Sequence, residues 1–428
     1  MTWLFKNVTL VDRSFPSTSG KVDILISEGI IRKIGVDLVA PDAKVIVMDD
    51  LHVSIGWMDL GASHGDPGEE HRESLSSLRA TAAAGGFTAL APWPDTYPRV
   101  DNKAAIHYLT QSNEQEAVEI FPIASLSEKG EGKEMAELMD LHKAGAIGFS
   151  DGLKPVDNAG LFYRALKYMN SFAGVCIHFP MDFNLAVDGQ IHEGRISALL
   201  GLPGIPDVAE DLMIQRDISL LEYADGKLLH WGLSSKLGVD RLRKSEKLNQ
   251  SLFAAVPIFN LVFSEDDLES FDVNFKLMPP LRTENDKMAL KSAVLDGTIQ
   301  LISSNHLPWE SEHKKLEFPY ASFGSISLQH VFQMLRTHFS ELPLVNIVDI
   351  LAYNPRRIFK VELPVIQEGA KANLTFFLPN AKAVILKDEN TSLSENSPLW
   401  NETMNGKVVG VFNNGKLVLN DEVLYSDF

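Results

Sequence analysis

One cysteine stands in 428 residues. Cys176 therefore has no partner for an internal disulfide, and no thiolate cluster can hold a metal. Apolar runs of about eighteen residues are also missing, which excludes the usual membrane-spanning helix. Positive charge is scarce: 39 Lys and Arg face 57 Asp and Glu, a net charge of −18. Such a field works against nucleic acid and anionic membranes as partners. The opening Met1-Thr2-Trp3-Leu4-Phe5-Lys6-Asn7 lacks the charged-then-apolar order of a secretion signal, so a cytoplasmic location is expected. What remains is an ordinary globular composition, 45% hydrophobic and 22% charged, which excludes disordered, collagen-like and coiled-coil chains. The length suits two domains, or one large barrel with an appendage.

The two ends share a texture. Leu4 to Asp12 alternates, and Val22 to Ile26 and Ile30 to Ile34 flank the turn Ser27-Glu28-Gly29. Near the other end, residues 372–377 and 407–412 read as strands, and the turn Asn413-Asn414-Gly415 leads into 416–419. These patterns predict one small β-sandwich domain built from residues 1–54 and 366–428. Between 55 and 365, helical windows at 69–84, 134–144, 161–172 and 288–295 are each followed by a short apolar run. Strand then helix, repeated, predicts a (β/α)8 TIM-like barrel. Residues 388–401 read as a polar loop. Cys176, inside an apolar run, reads as a core filler.

In such barrels chemistry sits just after each strand. Those ends carry Asp59, His64, Asp95, Asp151, His178, His230, Asn260, Asn305 and His306. Histidines and aspartates there suggest metal-assisted hydrolysis, which needs about three to five converging N/O ligands and a group to take the water's proton. The candidates are too sparse for that.

The order of segments resembles the dihydroorotase branch of the cyclic amidohydrolases over nearly the full length. Asp66-Pro67-Gly68, Gly85-Gly86-Phe87-Thr88, Gly148-Phe149-Ser150-Asp151-Gly152 and Glu193-Gly194 carry the likeness. It continues through residues 200–206, Glu210, Arg216-Asp217-Ile218, Pro279-Pro280-Leu281-Arg282, Asp296-Gly297 and Asn354-Pro355. The resemblance implies an amidohydrolase-type barrel, pyrimidine biosynthesis and a zinc centre.

Residue by residue, the implied chemistry is missing. The family's His-x-His zinc pair and the arginine that holds the substrate carboxylate fall at Gly61, Ser63 and Gly65. Its Met-Pro-Asn-Thr motif reads Trp93-Pro94-Asp95-Thr96, so the carboxylate of Asp95 stands where an anion would dock. The bridging ligand and the next histidine fall at Asp151 and His178, both retained. The histidine of His-x-x-His-x-Ser falls at Gly232, and His230, off that register, is expected to face away from the site. Pro-His-His reads Ile258-Phe259-Asn260, and Asp-His-Ala-Pro-His reads Asn305-His306-Leu307-Pro308-Trp309. An asparagine at 305 keeps the aspartate's shape but cannot take a proton at neutral pH, and Trp309 is expected to fill pocket volume.

The expectation is thus a dihydroorotase homologue without catalysis and without a cofactor, acting as a scaffold or regulatory partner. The resemblance points to aspartate carbamoyltransferase, or a second copy of the chain, as that partner. The alternatives are an active dihydroorotase with an atypical site, another amidohydrolase or a ligand-binding protein. A single weakly held metal at Asp151 and His178 is the alternative to none.

Overall fold

The computed structural model describes residues 1–13 and 20–420. Strands from both ends of the chain lie in one eight-stranded sheet, in the order Lys416–Leu419, Thr403–Asn413, Leu374–Val384, His52–Ile55, Thr2–Leu10, Val22–Ser27, Ile30–Gly35. The eighth strand, Lys44–Val47, pairs parallel to Thr2–Leu10. Phe5 and Phe376 stack at 4.1 Å, so the two ends also share a core. The expected turn at 413–415 connects the antiparallel pair Thr403–Asn413 and Lys416–Leu419. Residues 14–19 and 421–428 of the expected terminal unit lie outside the described residues.

The middle of the chain forms a mixed α/β arrangement with a curled parallel sheet. Trp57–Leu60, Phe87–Ala91 and Glu119–Ile120 make one parallel set. Ile123–Ala124, Gly148–Phe149, Cys176–His178, Leu228–Trp231, Leu252–Pro257 and Leu301–Ser303 make the other. Phe121-Pro122 separates the sets; proline has no N–H to donate, and its carbonyl accepts from Ile147 N at 3.0 Å. Side chains alternate between the two faces, as a strand requires. Met58, Leu60, Ala89, Ile177, Leu229, Trp231 and Leu301 belong to one cluster. Trp57, Phe87, Cys176, Leu228 and Ile302 belong to the layer shared with the helices. Cys176 is buried there, as expected of a core filler.

Helices connect the strands, with small departures from the sequence reading. The first begins at Leu75 rather than 69, because Ser74 caps it by accepting from Ser77 N. The window at 134–144 becomes Leu138–Ala144, that at 161–172 becomes Ala159–Asn170, and Thr283 caps Glu284–Leu295. Residues 388–401 form a loop, but its polar side chains are not all solvated: Ser392, Ser394 and Asn396 are buried. Among the described residues no helix is long and apolar enough to cross a membrane.

Candidate functional site

The C-terminal ends of the parallel strands bring the sequence candidates to one end of the sheet. The strand Trp57–Leu60 is followed by Gly61, which has φ +89. A Cβ built there would lie 2.9 Å from Trp231 Nε1 and 2.9 Å from Trp93 Cζ2. Trp93 and Trp231 meet edge-on, centroids 4.9 Å apart at 85°, and are 1% and 0% exposed. Phe179 joins them, its centroid 6.1 Å from that of Trp231. At Gly232, with φ +88, a Cβ would lie 2.9 Å from the Phe179 ring. Two positions where the resemblance places histidines are therefore glycines whose missing side-chain volume is occupied by aromatic rings.

The other positions are equally committed. Ser63 Oγ donates to Asp95 Oδ2 at 2.6 Å. Gly65 admits no side chain, because a Cβ would fall 1.8 Å from the Glu69 carbonyl oxygen. Asp151 Oδ1 accepts from Leu126 N and Ser127 N, each at 3.0 Å, and Oδ2 accepts from Ser127 Oγ at 2.5 Å. His178 shares a strand face with Cys176, the face toward the helices, while Ile177 points the other way. Its Nδ1 donates to Asp217 Oδ2 at 2.6 Å and its Nε2 accepts from Val156 N at 2.9 Å. His230 also faces the helix Val208–Ala224, with Nε2 3.1 Å from the same Asp217 oxygen. Burial alone would raise the Asp217 carboxyl, yet His178 and His230 hold it well below the usual carboxylate range.

Asn260 lies in the short helix Ile258–Val262 rather than at a bare strand end, and its amide donates to the Pro280 carbonyl at 2.9 Å. Asn305 has φ +52, a region asparagine tolerates, and donates to the Met278 carbonyl at 3.2 Å. Beside it, Ser304 N and Oγ donate to the two oxygens of buried Asp59, at 2.7 and 2.6 Å. Burial pushes the Asp59 carboxyl up to about 6, against these hydrogen bonds. Trp309 does not enter the aromatic group. Its ring lies over the Arg72 guanidinium at 3.9 Å, and its N–H donates to the Phe323 carbonyl at 2.8 Å.

The sequence reading missed several contributors. Asp217 was visible only as part of the landmark Arg216-Asp217-Ile218, and Trp93 and Trp231 only as replacements within motifs. The polar loop also takes part. Asn396 donates to the Leu307 and Gly324 carbonyls at 3.0 and 3.1 Å, Ser394 Oγ to the Arg72 carbonyl at 2.9 Å, and Ser392 Oγ to Glu73. It thereby ties the loop after the first parallel strand to the loop after the last.

A zinc pair does not fit this donor set. His178 has both ring nitrogens engaged, Asp151 is held by three protein donors, and Gly61 and Gly232 offer no ligand atom. Among the described residues, no three His, Cys, Asp or Glu side chains group to hold a metal.

With this geometry in view, the comparisons with known proteins are specific. Residues 45–236 match a family model described as dihydro-orotase-like. A dihydroorotase of Syntrophus aciditrophicus is 32% identical over 427 residues, covering 99% of this chain and 100% of that protein. A dihydroorotase of Caldicellulosiruptor saccharolyticus is 33% identical over 427 residues, covering 98% and 99%. The L-hydantoinase (dihydropyrimidinase) from Arthrobacter aurescens superposes with a TM-score of 0.84 over 99% of this chain and 98% of that one, at 21% identity. At that identity the likeness is one of fold.

Proposed function

The chain belongs to the dihydroorotase family of cyclic amidohydrolases, and we propose that it is a non-catalytic member, a scaffold or regulatory partner in pyrimidine biosynthesis. One observation carries this reading: Trp93 and Trp231 fill the space that a ligand at position 61 would need. Position 305 supports it, because an asparagine amide cannot relay a proton between water and a leaving amide. So does Gly65, where the Glu69 carbonyl leaves no room for a substrate-binding arginine.

On the same reading the two parallel sets form one (β/α)8 barrel over residues 55–365. The Ser63 N to His306 O hydrogen bond at 2.8 Å supports closure between the loops after the first and last strands. Residues 1–54 and 366–428 then form one β-sandwich-like domain, a reading supported by their shared sheet. The partner is aspartate carbamoyltransferase, proposed from the resemblance to family members that lack zinc ligands; self-association is the alternative. A cytoplasmic location accompanies that role.

The test is the zinc content of the purified chain alongside a dihydroorotate hydrolysis assay and co-purification with the carbamoyltransferase. The expected result is substoichiometric zinc, no turnover and retention of the transferase. Zinc-dependent turnover by the unmodified chain, abolished by Asn305→Ala, would show a divergent enzyme instead.

A further inference from the structure

A cleft of about 490 Å³ opens at the N-terminal end of the parallel strands, the end opposite the candidate site. Glu119, which begins the strand Glu119–Ile120, lines it together with Phe121, Arg356 of the helix Asn354–Phe359, and the segment that leads toward the C-terminal strands. Arg356 is 2% exposed. A guanidinium has five N–H donors. Here one nitrogen donates to the Ala352 carbonyl at 3.1 Å and another to Thr88 Oγ1 at a long 3.5 Å. Among the described residues it forms no ion pair with a carboxylate. A buried cation without a bonded anion is unfavourable, and burial pushes this guanidinium down to about 10, with Glu119 opposing.

Glu119 lines the same cleft, and its Oε2 accepts from Asn413 Nδ2 at 3.2 Å. Phe121, Leu363 and Val365 supply an apolar wall, and exposed Lys371 and Glu362 add one charge of each sign to the lining. The volume falls in the range of small-molecule pockets. An arginine serving only to cap a helix carbonyl would not need this polar and apolar pairing around an open cleft.

We propose that this cleft binds a small carboxylate that also carries an N–H donor and an apolar chain, the chemical class of an N-acyl hydrophobic amino acid. The carboxylate pairs with Arg356, the N–H donates to Glu119, and the chain packs on Phe121, Leu363 and Val365. Arginine suits this role because its planar fork matches a carboxylate in two parallel hydrogen bonds. The inference does not depend on whether the chain hydrolyses dihydroorotate, and its test reads binding alone.

The probe is N-acetyl-L-leucine, titrated calorimetrically into the full-length protein beside its methyl ester, which lacks the carboxylate, and 4-methylpentanoate, which lacks the N–H. The acid should bind saturably. The ester should bind at least about tenfold more weakly, since a charge-assisted hydrogen bond is lost. Arg356→Lys should weaken the acid by a similar factor. Glu119→Gln should reduce its advantage over 4-methylpentanoate while leaving 4-methylpentanoate binding in place. Because Arg356 is buried and its variants can fail to fold, the probe series on the unmodified chain is decisive by itself. No saturable binding of the acid at millimolar concentration overturns the proposal, as does equal binding of acid and ester. Equal binding of acid and 4-methylpentanoate removes Glu119 from the site and overturns the assigned ligand class.

Discussion

Two buried clusters of this molecule keep family landmarks in opposite ways. Around Glu210, buried polar side chains hydrogen-bond to one another inside the fold. The carboxylate accepts from Ser234 and Ser235 through backbone and hydroxyl groups, among them Ser235 Oγ at 2.8 Å, and lies 3.7 Å from Arg282 Nη2. Arg282 Nε donates to Ser234 Oγ at 2.8 Å and Nη1 to the Ile205 carbonyl at 3.2 Å. Around Gly61 the polar positions are glycines and the space belongs to Trp93, Trp231 and Phe179. The landmarks around Glu210 have hydrogen-bonded partners, whereas at positions 61 and 232 aromatic rings occupy the space beside glycines. Both clusters stabilise the protein, one through satisfied charge and the other through burial.

The largest effect that could break this contrast belongs to the first cluster. Glu210→Ala removes the acceptor for both serines and leaves Arg282 buried without a carboxylate. The expected loss is about 3–5 kcal/mol, the range for uncovering one member of a buried pair. Urea unfolding at neutral pH measures it; a loss under about 1 kcal/mol would mean that the network is decoration.

The next effect sits two residues before Gly61. Asp59 is a buried carboxyl raised from an ordinary 3.8 to about 6. The folded state therefore binds its proton more tightly than the unfolded chain does. Its contribution is fully present below about pH 3.8 and disappears as pH rises through 6, a swing of about 3 kcal/mol at most. His330 acts in the opposite sense: burial lowers it to about 4, so its contribution fades as pH falls from about 6.5 toward 4. Comparison with Asp59→Asn isolates the carboxyl. The variant should equal or exceed the parent in stability at pH 8, and the parent should gain on it by about 2–3 kcal/mol on going to pH 4. A pH-independent difference between the two would show that Asp59 keeps an ordinary carboxyl despite its burial.

These clusters also mark how far the sequence could be read. Period-two alternation and turn residues such as Asn413-Asn414-Gly415 announce the terminal strands, because those signals are local. The placement of Asp151 and His178 after apolar runs is local too. The orientation of His178 follows from strand alternation once Cys176 is taken as core, since residues two apart share a face. The sequence reading treated the histidine as a retained ligand position instead. The Trp93–Trp231 contact joins residues distant in the chain, and no local pattern reports it. Trp309 was the more conspicuous replacement, yet Arg72 beneath it and the Phe323 carbonyl beside it draw its ring elsewhere. The loop at 388–401 looked solvated because serine and asparagine usually are; its hydrogen bonds to backbone far away in sequence could not be foreseen.

The smallest effect tests the crowding itself. Gly61→Ala should destabilise for two reasons that can be separated. Its φ of +89 is costly for any residue with a Cβ, by roughly 1–2 kcal/mol. The added carbon would also lie 2.9 Å from atoms of both indoles, closer than packed atoms approach. Replacing Trp231 by Leu removes one of those atoms without touching the backbone of residue 61. In a double-mutant cycle, Gly61→Ala should therefore cost about 1 kcal/mol less in the Trp231→Leu background than in the parent chain. The backbone term cancels between the two backgrounds, so the coupling reports contact alone. Additive behaviour within about 0.3 kcal/mol would mean that the indoles yield freely. Position 61 would then have room for a larger side chain, and the volume argument against a ligand there would fail.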